Sequence, residues 1–263
     1  MSEAEPVLYT QKDGIAKITL NRPDALNAMT DGLMSGISEA IETVVKDQSV
    51  RVVILTGEGR GFCAGADLQN ASQSAEPDSD LEGDNTFNAA MSAIAHCPVP
   101  TIARVNGPAA GGGFGLALAC DITIAAESAF FVATFVPKLG IVPDMGVTWS
   151  VPLRTGRARA LGIILLGDRI PAKQAQEWGL IWTAVPDAEL DAEVARVAER
   201  LKHTSPSAVT RTRAIVDAAP QNSFNSQLDL EMEHQAVLYP RNMQEGARAF
   251  LERRAANFSG ERD

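Results

Sequence analysis

The stretch that most restricts the fold is VNGPAAGGGFGLALACD, Val105 to Asp121. Three consecutive glycines, Gly111 to Gly113, run into a segment that is apolar on every side. A short helix of that composition, from about Gly112 to Ala119, has no face to give to water and belongs in the interior. It is flanked by TIARVNG (101–107) and DITIAAE (121–127), which read as buried strands. A buried helix that begins at bare glycines points unpaired N–H groups and the positive end of its dipole at one spot. That arrangement suits an anion or a developing oxyanion, and it also suits close backbone packing alone.

The rest of the chain fits around this unit. Residues 7–10 and 14–20 alternate in polarity, with Lys12-Asp13-Gly14 as a turn, and predict a hairpin. Thr30 is placed to cap a helix carrying Leu33, Met34, Ile37, Ile41 and Val44 at helical spacing. RVVILTG (51–57) predicts another buried strand. From Arg157 onward the pattern is almost wholly helical, broken near Pro206 and Pro220, with one weak strand in LIWTAV (180–185). Alternating strands and helices followed by a helical half predict an α/β core with an appended helical layer. Residues 69–85 hold five acidic side chains and no basic ones, as expected of a solvated loop or of a mobile wall over a ligand site.

A net charge of −10 over 263 residues argues against a general nucleic-acid or membrane-surface binder, which needs a basic footprint. No apolar run is long enough to span a bilayer, and the N-terminus lacks the pattern of a secretory signal. Cys63, Cys97 and Cys120 have no metal-ligand spacing and are expected to be reduced core residues of a cytoplasmic protein. Trp149, Trp178 and Trp182 are expected in the core, and His96, His203 and His234 are expected to be structural or surface residues.

A second glycine-rich motif, GRGFCAGAD (59–67), follows the strand at 51–57. Its Gly59, Gly61 and Ala64 fit a relaxed dinucleotide-binding pattern, but no helix signal follows, as that pattern requires. The glycines then serve to let backbone approach a ligand closely. Taken with NRPDALNAM (21–29), ARVNGPAAGGGFGLALACD (103–121), KLGIVPDMGVTW (138–149), LLGDRIPAKQAQEWGL (165–180) and EGARAFLERRAANF (245–258), these motifs resemble the enoyl-CoA hydratase/isomerase (crotonase) superfamily. The resemblance covers almost the whole chain. Within it, PDMGVTW, GRARALG and AQEWGLIW resemble the branch that isomerises ring-epoxidised phenylacetyl-CoA.

The resemblance implies an α/β, crotonase-like spiral of ββα units over residues 1–195. It also implies a helical C-terminal trimerisation region over 196–263, and assembly as a homotrimer or a dimer of trimers. The implied substrate is an acyl-CoA thioester, with coenzyme A as part of the substrate and no separate cofactor or metal. The Ala66 and Gly112 amides would form the oxyanion hole. Arg22, Ala25, Ala64, Gly65, Asp67, Leu68, Gly111 and Phe250 would contact the substrate or its CoA portion. Asp24 stands where many relatives carry a basic residue.

Two glutamates of the hydratases correspond to Gly115 and Val136, neither of which titrates. Asp144 stands where isomerases and an aryl-CoA dehalogenase of the superfamily carry an aspartate. Locally it also fits a cap for the helix that follows. The implied activity is a double-bond shift, or conversion of a ring epoxide to its oxepin, by one carboxylate acting through a thioester enolate. The alternatives are an enoyl-CoA hydratase, an aryl-CoA dehalogenase in which Asp144 is the nucleophile, and a non-enzymatic thioester binder. Ile141, Val142 and Met145 are expected to desolvate Asp144 and raise its pKa.

Overall fold

The computed structural model describes residues 5–67, 86–258 and 260–262. Strand β1 (Val7–Lys12) turns at Asp13-Gly14 into β2 (Ile15–Leu20), the expected hairpin, with Val7 opposite Leu20 and Lys12 opposite Ile15. Helix α1 (Asp31–Lys46) then buries Leu33, Met34, Ile37, Ala40, Ile41 and Val44, and the Thr30 side chain accepts from the Leu33 N–H. Strands β3 (Val52–Gly57), β4 (Thr101–Val105) and β6 (Ile122–Ala126) stack in parallel, and β9 (Thr183–Val185) adds to the far edge. The resulting sheet has the order β1-β2-β3-β4-β6-β9. Parallel strands buried on both faces read as near-continuous apolar runs; VVILTG fits this, and TIARV departs from it at Arg104, whose guanidinium pairs with Asp191.

Three very short strands form a second sheet: β5 (Ala109–Ala110), β7 (Phe130–Val132) and β8 (Ile170–Pro171), in the order β5-β7-β8. The sequence pattern does not predict this sheet, because two or three residues carry no measurable periodicity. Helix α2 (Thr86–Ala95) packs on α1. Helix α3 (Gly112–Leu118) is buried at every residue, as its uniform composition requires. Helix α4 (Val147–Leu166) is broken at Gly156, whose φ of 76° and ψ of 161° are not helical.

Helices α5 (Ala172–Glu177), α6 (Leu190–Lys202), α7 (Pro206–Ala218) and α8 (Phe224–Glu252) complete the helical half. Two arginines tie α7 and the C-terminal tail to the α/β core. The Arg213 guanidinium donates to Asp121 Oδ1 and Oδ2, both at 2.6 Å, and to the carbonyls of Cys97 and Val99. Arg262 donates to the carbonyls of Val44, Val45, Asp47 and Val50, covering the C-terminal end of α1. Among the described residues no helix is long and apolar enough to cross a membrane. All three cysteines are buried and unpaired. The tryptophan expectation fails in part: Trp149 and Trp182 are exposed, and Trp178 is half-buried under the Arg159 guanidinium.

Candidate active site

Two backbone arms meet at the C-terminal ends of β3 and β4. One is the segment Cys63–Asp67, which pairs with the loop at 22–29. Ala64 N donates to Leu26 O, Met29 N to Gly65 O, and Asp67 N to Met29 O. In this parallel bridge between Met29 and Ala66, the bonds to Met29 come from the residues on either side of Ala66, so the Ala66 N–H faces away from that partner. The other arm is Ala110–Gly112. Gly112 is the first residue of α3, so no earlier carbonyl of that helix accepts from its N–H.

Gly65 is the point of contact between the arms. Its φ is +93°, and a Cβ there would lie 2.9 Å from Ala110 O and 3.5 Å from Gly112 N. A side chain at this position is therefore disfavoured by backbone conformation and by space. Gly111, at φ +52°, lies against Thr134 and turns the chain into α3. Ala66 is exposed, while Gly65, Gly111 and Gly112 are buried. The Ala66 amide on one arm and the Gly112 amide at the start of α3 on the other are the pair expected to form the oxyanion hole.

The remaining expected substrate contacts divide. Ala25 sits exposed in a 3-10 turn, Pro23–Ala25, beside exposed Asp24, and Ala64 is half-buried. Arg22 is engaged within the chain: its guanidinium donates to Asp67 Oδ2 at 2.9 Å and to Ala28 O. Arg22 and Asp67 thus join the loop at 22–29 to the first arm through an ion pair. Phe250 lies near the end of α8, exposed and remote in sequence from both arms. Leu68, with the acidic loop 69–85, falls outside the described residues.

Asn27 is an organising residue that the sequence pattern did not single out. Fully buried, it accepts from the Arg22 N–H and donates to Glu58 O and Gly61 O. Its left-handed φ of +57° follows that of Leu26 at +50°. Asparagine tolerates this conformation, which marks the NAM triplet as a turn rather than a helix start.

Asp144 stands in the loop before α4. It does not cap that helix through its side chain: the N-cap is Gly146, and Asp144 contributes only its carbonyl, which accepts from Val147 N at 3.1 Å. The carboxylate is reached by solvent, yet partial desolvation by the surrounding protein raises its pKa; a hydrogen bond from its own backbone N–H opposes this without cancelling it. The direction agrees with expectation, but the cause needs correcting. Ile141 and Val142 are exposed, and of the three named neighbours only Met145 is buried.

Met145 also packs against two of the three glycines on α3, Gly112 and Gly115. A Cβ at Gly115 would overlap the Met145 carbonyl oxygen and lie 2.8 Å from its Cβ. A Cβ at Gly112 would collide with Met29 Cε and lie 3.0 Å from Met145 Cγ. The space that a side chain at 115 needs is occupied by Met145. Val136, the other implied glutamate position, is partly buried against the core in the π-helical turn Phe135–Leu139. His96 bonds Ser92 and His203 bonds Glu199, both at the surface. Among the described residues no group of three or more His, Cys, Asp and Glu side chains is placed to hold a metal ion.

Comparison with known proteins agrees with this geometry. Residues 10–261 match the family described as enoyl-CoA hydratase/isomerase. The chain is 39% identical over 260 residues to the 1,2-epoxyphenylacetyl-CoA isomerase of Escherichia coli K12, covering 97% of this chain and 99% of that protein. It is 36% identical to a probable enoyl-CoA hydratase of Rhodobacter capsulatus, covering 97% and 98%. Among solved structures, an enoyl-CoA hydratase from Bacillus anthracis superposes with a TM-score of 0.87 at 32% identity, covering 97% of this chain and 100% of that one. The glycine-built arms, the ββα core and the match along nearly the whole length have one reading: this chain is an enzyme of the enoyl-CoA hydratase/isomerase family and has the crotonase fold.

Proposed function

We propose that this enzyme is an acyl-CoA isomerase that moves a double bond with a single carboxylate, Asp144. The observation that carries the reading is the occupied space at Gly115. Adding water to an enoyl thioester in the hydratase manner takes one group to activate water and one to protonate carbon. Here one implied position is closed by Met145 and the other is valine. Asp144, one residue from the side chain that packs on the start of α3, is the acid–base group that remains at the superfamily's catalytic positions.

In the proposed reaction the thioester oxygen accepts hydrogen bonds from the Ala66 and Gly112 amides. Ionised Asp144 takes a proton from an activated carbon of the acyl chain. The electron pair moves into the thioester as an enolate, and the two amides stabilise its oxygen; one such donor is worth roughly 3–4 kcal/mol of barrier. Asp144 then returns the proton to another carbon, so the double bond shifts with no net change in composition. The similarity to the Escherichia coli isomerase supports a ring-epoxide phenylacetyl thioester as a second substrate form, converted to its oxepin by the same groups. The contacts of Arg22, Ala25, Ala64, Gly65, Asp67, Leu68, Gly111 and Phe250 with substrate belong to this proposal, as does assembly into a trimer or dimer of trimers through the C-terminal helices.

The test follows conjugated 2-enoyl-CoA by absorbance after adding 3-enoyl-CoA to wild type and to Asp144→Asn. Loss of a positioned acid–base group predicts a fall in kcat of about 10²–10⁴-fold. Full activity in the variant would end the single-carboxylate mechanism. A wild type that hydrates 2-enoyl-CoA faster than it isomerises 3-enoyl-CoA would favour the hydratase named among its relatives.

A further inference from the structure

The helix that carries the Gly112 amide has little at its front end to hold it. Three of the first four residues of α3 are glycine, and Phe114 supplies the one side chain there. Phe114 is fully buried and packs on Phe131 with ring centroids 5.5 Å apart. Apolar contacts of this kind are non-directional, so they resist sideways movement but define position along the helix axis weakly.

The far end of α3 is held by hydrogen bonds instead. Thr123 Oγ1, in β6, donates to Ala117 O, and Arg154 Nη2, on α4, donates to Leu118 O, both at 2.9 Å. These carbonyls lie in the last turn, where a helix leaves acceptors without donors of its own. Helix α3 is only about 10 Å long, and its internal hydrogen bonds join the two ends into one rigid piece. Fixing the carbonyls at one end therefore fixes the amide at the other.

Arginine is a costly residue to place at this point. Burial pushes the Arg154 pKa below the ordinary arginine value, and its Nη1 is buried with no partner among the described residues. An apolar side chain of similar volume would avoid both penalties. Packing alone does not account for a guanidinium here, whereas the bond to Leu118 O does.

We infer that Arg154 is a positioning residue for the proposed oxyanion hole. With Thr123 it clamps the C-terminal end of α3 and so sets how far the Gly112 N–H reaches toward the thioester oxygen. It acts from the opposite end of the helix, about 10 Å from that amide. The inference rests on the reading of Gly112 as an oxyanion donor but not on the double-bond shift.

The experiment records the carbonyl stretch of hexanoyl-CoA, labelled with a heavy carbon isotope at the thioester carbonyl, by infrared difference spectroscopy on the full chain. Hydrogen bonds from preorganised amides polarise the carbonyl, so wild type is expected to show a lower frequency for bound than for free ligand. Arg154→Met replaces the guanidinium by an unbranched apolar chain and is expected to lose about half of that shift, since one of the two donors is displaced. Arg154→Lys can still donate to Leu118 O and is expected to keep most of it. Thr123→Val, of nearly the same shape, removes the other half of the clamp and is expected to lose a smaller part. The urea midpoint of each variant is measured beside its spectrum, because lower stability alone does not move the frequency of a bound ligand. A folded Arg154→Met with the wild-type frequency overturns the inference and leaves the oxyanion reading in place. If Arg154→Met does not fold, an unchanged frequency in Thr123→Val overturns it instead. A wild type that does not bind the thioester, or binds it without lowering the frequency, removes the oxyanion reading and the inference together.

Discussion

Asp144, Met145 and Gly115 show how the proposed chemistry depends on single residues, two of them adjacent and the third far away in the chain. Gly115 is small because the Met145 backbone runs where its side chain would go, and Met145 holds that path in a left-handed conformation. Neighbouring Asp144 keeps water access on one side and protein on the other. Its raised pKa has a kinetic consequence. In its proposed role as base, Asp144 works only when ionised, and the ionised fraction falls as pH drops through the folded-state pKa. The acid limb of kcat/KM is therefore expected to bend above ~4, the ordinary aspartate value. A limb at or below that value would show that some other group sets the protonation state. Asp144 as a candidate could be picked from the sequence, since it is the one carboxylate in a mostly apolar stretch and stands at the superfamily's aspartate position. Met145 was not, because its importance lies in a contact across thirty positions that no local pattern encodes.

At the scale of elements, the long regular pieces were legible and the short ones were not. Thr30 and the apolar stripe of α1 determine where that helix starts and which side it buries, so they can be read directly. The glycine run before α3 likewise announces a buried helix N-terminus. Strands β5, β7 and β8 are held by register with one another rather than by their own composition, and the break in α4 at Gly156 lies inside a pattern that looks continuous. The docking of α7 was also invisible. It depends on Arg213, which reaches Asp121 and two carbonyls near the start of β4. Asp121 in turn accepts from Thr101 N and Oγ1. With both side chains mostly buried, at 17% and 25% exposure, the pair is only partly screened. Arg213→Leu leaves the Asp121 charge and two carbonyls short of their donor. It is expected to cost about 2–3 kcal/mol, below the full value for a completely buried pair. Urea unfolding would measure this, and amide exchange would show whether α7 opens first. Unchanged stability would mean that apolar packing alone holds α7.

At the scale of the molecule, α8 is the part that does not fit a single chain. It runs over 29 residues from Phe224 to Glu252 with only Ala249 buried. Its surface exposes Phe224, Met232, Tyr239, Phe250 and Leu251. Its far end is not loose: Phe258 O accepts from Arg51, and Arg262 covers the end of α1. A helix fixed at its end and carrying exposed apolar side chains at intervals along its length presents a surface whose burial would stabilise an assembly. Apolar area removed from water contributes roughly 25 cal/mol per Å², so several such side chains per chain can offset the entropy of association. The proposed trimer or dimer of trimers makes a direct prediction. Light scattering on the purified protein at micromolar concentration should give three or six times the 27.9 kDa chain mass. Placing charges in the patch, with Met232→Asp and Phe224→Asp together, should shift the protein toward smaller species. That double variant should leave the fold of the core intact by circular dichroism, because neither side chain is part of it. A monomer at tens of micromolar would rule the assembly out, and α8 would then need another partner for its apolar side.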